Sequence, residues 1–236
     1  MNLLAIETST PFCSVALARG ETVFARHFEA GQRHAELALD AVDSVLHDAG
    51  VETSELAGLA YGEGPGSFTG LRIACGLVQG IAIACSLPVV GVSTLVALAE
   101  EAAEETGAQQ VIACLDARMG EVYHAAYWRA AAGEAWKTAS APGVYRPDAV
   151  PPLEGAGWIA CGSGFAAFGA VLLARYGGQI LRSQPGIAPS AAAVLRLARP
   201  RFERGEGRDA ASAVPIYLRD KVAMTTNERK QRRGGE

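Results

Sequence analysis

A glycine-rich segment, Tyr61–Arg72, contains residue types that bind anions in many proteins. Its sequence is Tyr-Gly-Glu-Gly-Pro-Gly-Ser-Phe-Thr-Gly-Leu-Arg, and it lies between an apolar run and a long apolar segment. This context predicts a strand, a tight loop and the start of a helix, where unpaired backbone N–H groups attract phosphate. Arg72 could add a positive charge, and Ser67 could cap the helix. The segment has neither the Gly-Lys-Ser/Thr of a Walker A motif nor a G-x-G-x-x-G pattern. A turn that needs positive φ at several glycines is therefore the competing interpretation.

Acidic residues follow three of the predicted strands. Glu7 and Glu63 come after central strands of the first half, and Asp116 ends an apolar strand of the second half. Nucleases of the ribonuclease H type place carboxylates at such strand ends to hold two Mg²⁺ ions. Such a site needs three or four convergent acids and a basic approach for the nucleic acid. The first half offers two candidates, and the chain has 21 Lys+Arg against 25 Asp+Glu, a net charge of −4. A nuclease activity is therefore disfavoured.

A nucleotide cleft is a second hypothesis for the same acids. Glu7 and Asp116 could face each other between two lobes, with Gly162 and Gly164 beneath an adenine ring, as in actin-like ATPases. The first turn of such proteins usually carries a glycine that admits phosphate, whereas Thr8-Ser9-Thr10 stands at this position. The sequence therefore predicts at most a degenerate nucleotide site.

The histidines, cysteines and serines form no recognisable metal or nucleophile motif. The four histidines lack H-x-x-x-H and H-E-x-x-H spacing, and the sequence lacks G-x-S-x-G. His34 and His47 are expected on the solvent-exposed side of a helix. The five cysteines are widely spaced in apolar surroundings, which predicts reduced and mostly buried thiols in a cytoplasmic protein. We expect neither a metal nor a cofactor.

Apolar periodicity predicts the elements that position these residues in the first half of the chain. The predicted elements are strands near 3–6, 14–18 and 22–28, a helix at 33–49 that Gly50 closes, a strand at 56–61, a helix at 67–87, a strand at 88–92 and a helix at 93–106. The order β-β-β-α-β-α-β-α matches a ribonuclease H-like lobe.

The second half begins with a similar pattern. An apolar strand again ends in an acid, here Asp116, and the further predictions are a strand at 122–129, a loop at 142–152, a strand at 158–161 and helices at 165–175 and 191–204. The similarity suggests two duplicated lobes. We expect a first lobe at 1–106, completed by a C-terminal segment near 190–224, a smaller lobe at 107–189 and a disordered polar tail at 225–236.

The long apolar segment has two further interpretations. Ile73–Ala99 is uncharged for 27 residues and could span a bilayer by length, but Pro88 and Gly91 divide it, so no membrane association is expected. Gly76 and Gly80, with Ala84 one turn later, give the predicted helix a face of small residues. Such a face allows close packing, either on the protein's own sheet or on a helix of a second chain.

Four segments together resemble the TsaB family of bacterial tRNA threonylcarbamoyladenosine biosynthesis proteins. They are Tyr61-Gly-x-Gly-Pro-Gly-Ser-Phe-Thr-Gly-x-Arg72-Ile73, Gly91-Val-Ser-Thr-Leu95, Asp116-Ala-Arg-Met-Gly-Glu-Val-Tyr123 and Pro215-Ile-Tyr-Leu-Arg219. The segments keep the family's order and cover most of the chain. Two positions depart from the family pattern: Glu7 stands where Asp is usual, and Ala74 where glycine is frequent.

The resemblance implies an α/β, actin-like (ASKHA) fold of two ribonuclease H-like lobes. It also implies a role in placing a threonylcarbamoyl group on the adenosine beside the anticodon, in tRNAs that read codons starting with A. In this family the transfer is assigned to the paralogue TsaD, which uses a metal held by an H-x-x-x-H pair that this sequence lacks. The expected role is a non-catalytic scaffold that binds TsaD and works with the ATPase TsaE. A homodimer through the same surface and only indirect contact with tRNA are also implied.

The resemblance places the partner contact on the first-lobe helices at 33–49 and 67–87. The residues predicted there are Leu37, Ala41, Val45, Ser67, Phe68, Thr69, Leu71, Arg72, Cys75, Gly76, Gln79 and Gly80. The alternative function is a weak nucleotide hydrolase whose cleft contains Glu7, Asp116, Gly162 and Gly164.

Overall fold

The computed structural model describes residues 1–219, in which ten strands form two mixed five-stranded sheets. The first sheet contains β1 (Asn2–Glu7), β2 (Phe12–Arg19), β3 (Thr22–Glu29), β4 (Gly58–Gly64) and β5 (Val89–Ser93). The second contains β6 (Gln110–Asp116), β7 (Val122–Trp128), β8 (Lys137–Tyr145), β9 (Trp158–Cys161) and β10 (Ile180–Gln184). The helices are α1 (His34–Ala49), α2 (Phe68–Cys85), α3 (Thr94–Thr106), α4 (Ser163–Tyr176) and α5 (Ala191–Glu203). The expected tail at 225–236 lies outside the described residues.

The two sheets have the same topology. Their orders are β3-β2-β1-β4-β5 and β8-β7-β6-β9-β10, and in each the first three strands are antiparallel and the last two run parallel to the first. The duplication suggested by the sequence is therefore present at the level of strand order and direction.

The central strands are buried on both faces, as expected for strands covered by helices on both sides. On β1, Leu4 and Ile6 face the core beneath α1 and α2, whereas Leu3 and Ala5 face α5. On β6 the odd-numbered residues face α3 and the even-numbered residues face α4. The layers are therefore α1/α2, first sheet, α5/α3, second sheet and α4.

Helices α3 and α5 lie between the sheets, and each covers the sheet built by the other part of the chain. Although α3 follows β5, it packs mainly on the second sheet, so it does not belong only to the predicted first lobe. Conversely, α5 follows the second sheet but packs on the first. Buried Glu100 of α3 accepts hydrogen bonds from Arg129 (3.0 Å) and from the Trp136 indole (2.8 Å), which joins α3 to the β7–β8 hairpin.

Three sequence predictions differ from the observed elements. The strand predicted at 56–61 continues to Gly64, because Gly62 and Gly64 still pair with β5. The loop predicted at 142–152 begins as the end of β8, and β10 was not predicted. Neither β8 nor β10 was predicted as a strand. Both are edges of the second sheet with mixed polar sequences, where the apolar signal is weak.

Candidate functional site

The glycine-rich segment packs directly on the first turn of the chain. The Ser9 carbonyl oxygen accepts a hydrogen bond from the Ser67 backbone N–H (2.7 Å), and the Thr8 hydroxyl donates to the Gly70 carbonyl oxygen (2.7 Å). A Cβ on Gly70 would overlap the Thr8 carbonyl oxygen, and one on Gly66 would lie 2.5 Å from that of Ser9. The Thr8–Ser9 backbone therefore lies directly against Gly66 and Gly70. These glycines permit close approach of two chain segments.

The same segment fixes the start of α2. Ser67 is the N-cap residue, and its side chain accepts a hydrogen bond from the Gly70 N–H, which confirms the predicted cap. Gly64 has φ of +117°, in the region that favours glycine. Cap and packing together set the direction of α2.

One side of α2 is open to solvent and almost uncharged. A Cβ built on Gly76 or Gly80 meets no atom of the described residues within 4 Å, and the Ile83 side chain is 69% exposed. Ser67, Phe68, Thr69, Arg72 and Ala84 are exposed on the same helix, and Gln79 is half-buried. By length and composition α2 could cross a membrane, but its other side packs on the first sheet through Ala74, Val78 and Ala82. We call the exposed residues Ser67, Phe68, Thr69, Arg72, Gly76, Gly80, Ile83 and Ala84 the α2 face.

The structure corrects part of the predicted partner surface. Ala41, Val45, Leu71 and Cys75 are at most 5% exposed, so their side chains belong to the core and cannot contact a partner. Half-buried Leu37 packs beside Cys13 and Ala38. The error has a simple cause: the apolar periodicity of α1 marks the side that packs on the sheet. Ile83 was missed, although it lies seven residues after Gly76 and therefore on the same side of the helix.

Glu7 is buried at the end of β1. Its Oε1 accepts a hydrogen bond from the Ser9 N–H (2.6 Å), and a Cβ on Gly62 would overlap its Oε2. Burial raises the pKa of Glu7 to about 7, against the opposing effect of the Ser9 hydrogen bonds. The carboxyl is thus held between two strands, away from the surface.

Glu63 has separate surroundings from Glu7. It is half-buried near Gly91, where burial raises its pKa and the charges of Arg201 and Arg208 act in the opposite direction. Within residues 1–219, no group of three or more His, Cys, Asp or Glu side chains is arranged to hold a metal ion.

An interlobe cleft of about 1050 Å³ lies between the first turn, the N-terminus of α2, the β6–β7 turn and α4. Asp116 contributes to its wall and forms an ion pair with exposed Arg118 (3.1 Å). Glu7 is absent from the wall of the cleft. Of the four residues predicted for a nucleotide cleft, only Asp116 reaches this space.

Gly162 and Gly164 serve close packing at the start of α4. A Cβ on Gly162 would overlap the Cys114 carbonyl oxygen, and one on Gly164 would overlap the Cys114 sulfur. Both glycines thus let α4 approach β6, and neither lines the cleft.

His34 contradicts the prediction of a solvent-exposed histidine. It is 5% exposed, and its Nε2 lies 2.9 Å from the Thr10 carbonyl oxygen and 3.1 Å from that of Phe12. His47 is exposed, as predicted. All five cysteines are free thiols, and four of them are buried.

A C-terminal segment, Val214–Arg219, crosses from the first lobe to the second. We call it the strap. The Ile216 N–H donates to the Glu63 carbonyl oxygen (2.6 Å), and Arg219 donates to the Ala117 carbonyl oxygen (2.9 Å). Pro215–Arg219 lies in the segment near 190–224 that was expected to complete the first lobe, but its contact with the second lobe was not predicted. An interlobe bridge leaves no periodic signal in a sequence.

Comparisons with known proteins agree with this architecture. The family model described as TsaD, tRNA N6-adenosine threonylcarbamoyltransferase, matches residues 28–156. The chain is 40% identical to the tRNA threonylcarbamoyladenosine biosynthesis protein TsaB of Escherichia coli, over 94% of this chain and 96% of that protein. It is 34% identical to TsaB of Haemophilus influenzae over 94% and 95% of the two chains. The solved structure of YeaZ from Pseudomonas aeruginosa is 38% identical and covers 92% of this chain and 99% of its own, with a TM-score of 0.84.

Two lobes of identical ribonuclease H-like topology with a cleft between them define a protein of the actin-like class. Within that class, the extent and level of identity settle the family. The chain belongs to the TsaB family of tRNA threonylcarbamoyladenosine biosynthesis proteins.

Proposed function

We propose that this protein is a non-catalytic scaffold subunit that binds and activates the transferase TsaD. The reaction it supports is threonylcarbamoylation of the adenosine adjacent to the anticodon in tRNAs that read codons starting with A. The protein would act in the cytoplasm together with TsaE, and its contact with tRNA would be indirect. Family membership supports the pathway, and the α2 face supports the mode of action.

The observation that carries the proposal is the openness of Gly76 and Gly80. Glycine costs a helix interior about 1 kcal/mol relative to alanine, and here no intramolecular neighbour among the described residues requires it. A helix of another chain could approach closely along Gly76, Gly80 and Ala84, with Ile83 as an apolar anchor. The same face would form a homodimer when TsaD is absent.

The test replaces each glycine by leucine. Because both positions are open, Gly76→Leu and Gly80→Leu should fold with equal or higher thermal stability than the original protein. Binding to purified TsaD, measured by calorimetry, should weaken by about tenfold or more, because the added side chain separates the helices. In vitro threonylcarbamoylation should fall in parallel.

Gly169→Leu on α4 is the matched control, since a Cβ there also meets no described atom within 4 Å. It should leave TsaD binding unchanged. Unchanged TsaD binding by both α2 variants would refute the assignment of the α2 face.

The alternative is a weak nucleotide hydrolase, and the interlobe cleft with Asp116 on its wall favours it. Two observations argue against it: the first-turn backbone packs against the glycine-rich segment, and Glu7 is buried. Calorimetry of the isolated protein with ATP and Mg²⁺ decides between the two functions. Binding that is lost in Asp116→Ala would support the hydrolase, whereas no binding would support the scaffold.

A further inference from the structure

The strap contacts the exact place where α2 begins. The Tyr217 ring stacks on Phe68 with centroids 5.2 Å apart, and its hydroxyl accepts a hydrogen bond from Arg72 Nε (3.1 Å). The Arg72 guanidinium also lies 3.9 Å above the Phe68 ring. Tyr217 thus holds two residues of the α2 face.

Two residues later, the strap is fixed to the second lobe. Besides its bond to Ala117, Arg219 forms an ion pair with Glu121 and lies 3.6 Å from the Met119 sulfur. All three contacts are on the β6–β7 turn, which borders the interlobe cleft.

The β6–β7 turn contains two residues with positive φ and a side chain. Arg118 and Met119 have φ of +63° and +57°, in the left-handed region that costs a residue with a side chain about 1–2 kcal/mol. Asp116 holds one end of the turn by accepting a hydrogen bond from the Arg118 N–H (2.8 Å), and Arg219 holds the other side.

Tyr217 and Arg219 are only two residues apart, so the contacts of one depend on the position of the other. Two residues of extended chain span at most about 7 Å. A cleft that widens beyond the combined reach of this span and the Arg219 side chain breaks the contacts of Tyr217 or those of Arg219. The position of the second lobe is therefore transmitted to the first turn of α2.

We infer that Tyr217 and Arg219 are positioning residues that couple the interlobe cleft to the partner-binding surface on α2. The inference rests on the proposed function, because it assumes that the α2 face binds TsaD. Arg219 acts through Tyr217, and Tyr217 acts through Phe68 and Arg72. Loss of the Arg219 contacts would thus disturb Phe68 and Arg72 at the start of the α2 face.

Hydrogen exchange of the isolated protein tests the coupling without any partner. In Arg219→Ala, exchange of the hydrogen-bonded amides should accelerate about tenfold within 117–121 and also within 70–72, which Arg219 does not contact. Arg182→Ala, an exposed arginine of the same lobe, is the control and should change neither segment. Acceleration confined to 117–121 would overturn the coupling.

TsaD binding tests the consequence. Arg219→Ala and Tyr217→Ala should each weaken binding by about fivefold or more, and Arg219→Lys should restore part of the loss. Tyr217→Phe removes a single oxygen from a 41% exposed side chain, so it tests the Arg72 bond in a folded protein. Unchanged affinity in all four variants would overturn the positioning role. If Gly76→Leu and Gly80→Leu also left affinity unchanged, the assignment of the α2 face would fail, and the exchange result would still decide the coupling.

Discussion

The two lobes share one strand order, yet the carboxylates at the ends of their first strands have opposite surroundings. Glu7 at the end of β1 is 1% exposed, whereas the Asp116 side chain at the end of β6 is 20% exposed and borders the cleft. Glu7 lies on the side of its strand that carries Leu3 and Ala5, which face α5 between the sheets. Asp116 lies on the side that carries Ile112 and Cys114, which face α4.

This difference follows from strand geometry. Successive side chains of a strand point to opposite faces of the sheet, so a shift of one residue reverses the environment of the terminal acid. β1 has six residues and β6 has seven. Duplicated topology therefore does not imply a duplicated or symmetric pair of catalytic acids.

The largest expected difference between the lobes is in unfolding free energy, when one glycine is replaced in each of the helices that follow the two central parallel strands. Gly70→Ala in α2 would drive a methyl group into the Thr8 carbonyl, a backbone atom that cannot move aside, and should cost about 4 kcal/mol of unfolding free energy. Gly169→Ala in α4 has open space after the kink at Phe168 and should change the free energy of unfolding by less than about 1 kcal/mol. Urea unfolding measures both, and equal effects would contradict the packing role of the glycine loop.

The next effect concerns the charge of Glu7. Since its pKa is raised from 4.5 to about 7 in the folded protein, the native state keeps a proton that the unfolded chain loses. The free energy of unfolding should therefore fall between pH 4.5 and 7, by about 3 kcal/mol in total. Glu7→Gln cannot ionise, so it should be more stable than the original protein at pH 8 and similar to it at pH 4. A difference that does not change with pH would refute the buried, protonated carboxyl.

The smallest effect is expected from Asp116. Asp116→Asn removes an ion pair with an arginine whose side chain is 80% exposed, and an asparagine oxygen can still accept the Arg118 N–H bond. The loss should be about 0.5 kcal/mol or less. A large loss of unfolding free energy in the same urea experiment would mean that Asp116 and Glu7 contribute similarly to stability despite their different surroundings.

Local patterns predicted much of the fold. The apolar run Trp158–Cys161 and the helical spacing of α1 are local signals that need no distant contact to be recognised. The predicted bounds of these two elements agree closely with the observed ones. β10 escaped prediction because its five residues include Arg182 and Ser183 at an exposed sheet edge.

The candidate site was harder to predict because it depends on contacts between distant segments. Burial of Glu7 requires Gly62 on a neighbouring strand, and burial of His34 requires the carbonyl groups of Thr10 and Phe12. The apolar side of α1 was assigned to a partner, whereas it packs on the protein's own sheet. The structure leaves Gly76 and Gly80 open, which excludes one of the two interpretations of their four-residue spacing, close packing on the described part of the protein's own chain.

The position of α5 on the first sheet has a consequence for synthesis on the ribosome. Leu3, Ala5 and Ala18 are among the first core residues made, and they are covered by Val194 and Ala198, which are made almost 200 residues later. At about 5–20 residues per second, the inner face of the first sheet waits on the order of 10–40 s for its covering helix. The first lobe can therefore complete its fold only after the second lobe has been translated, and an apolar sheet surface is exposed to chaperones throughout that interval.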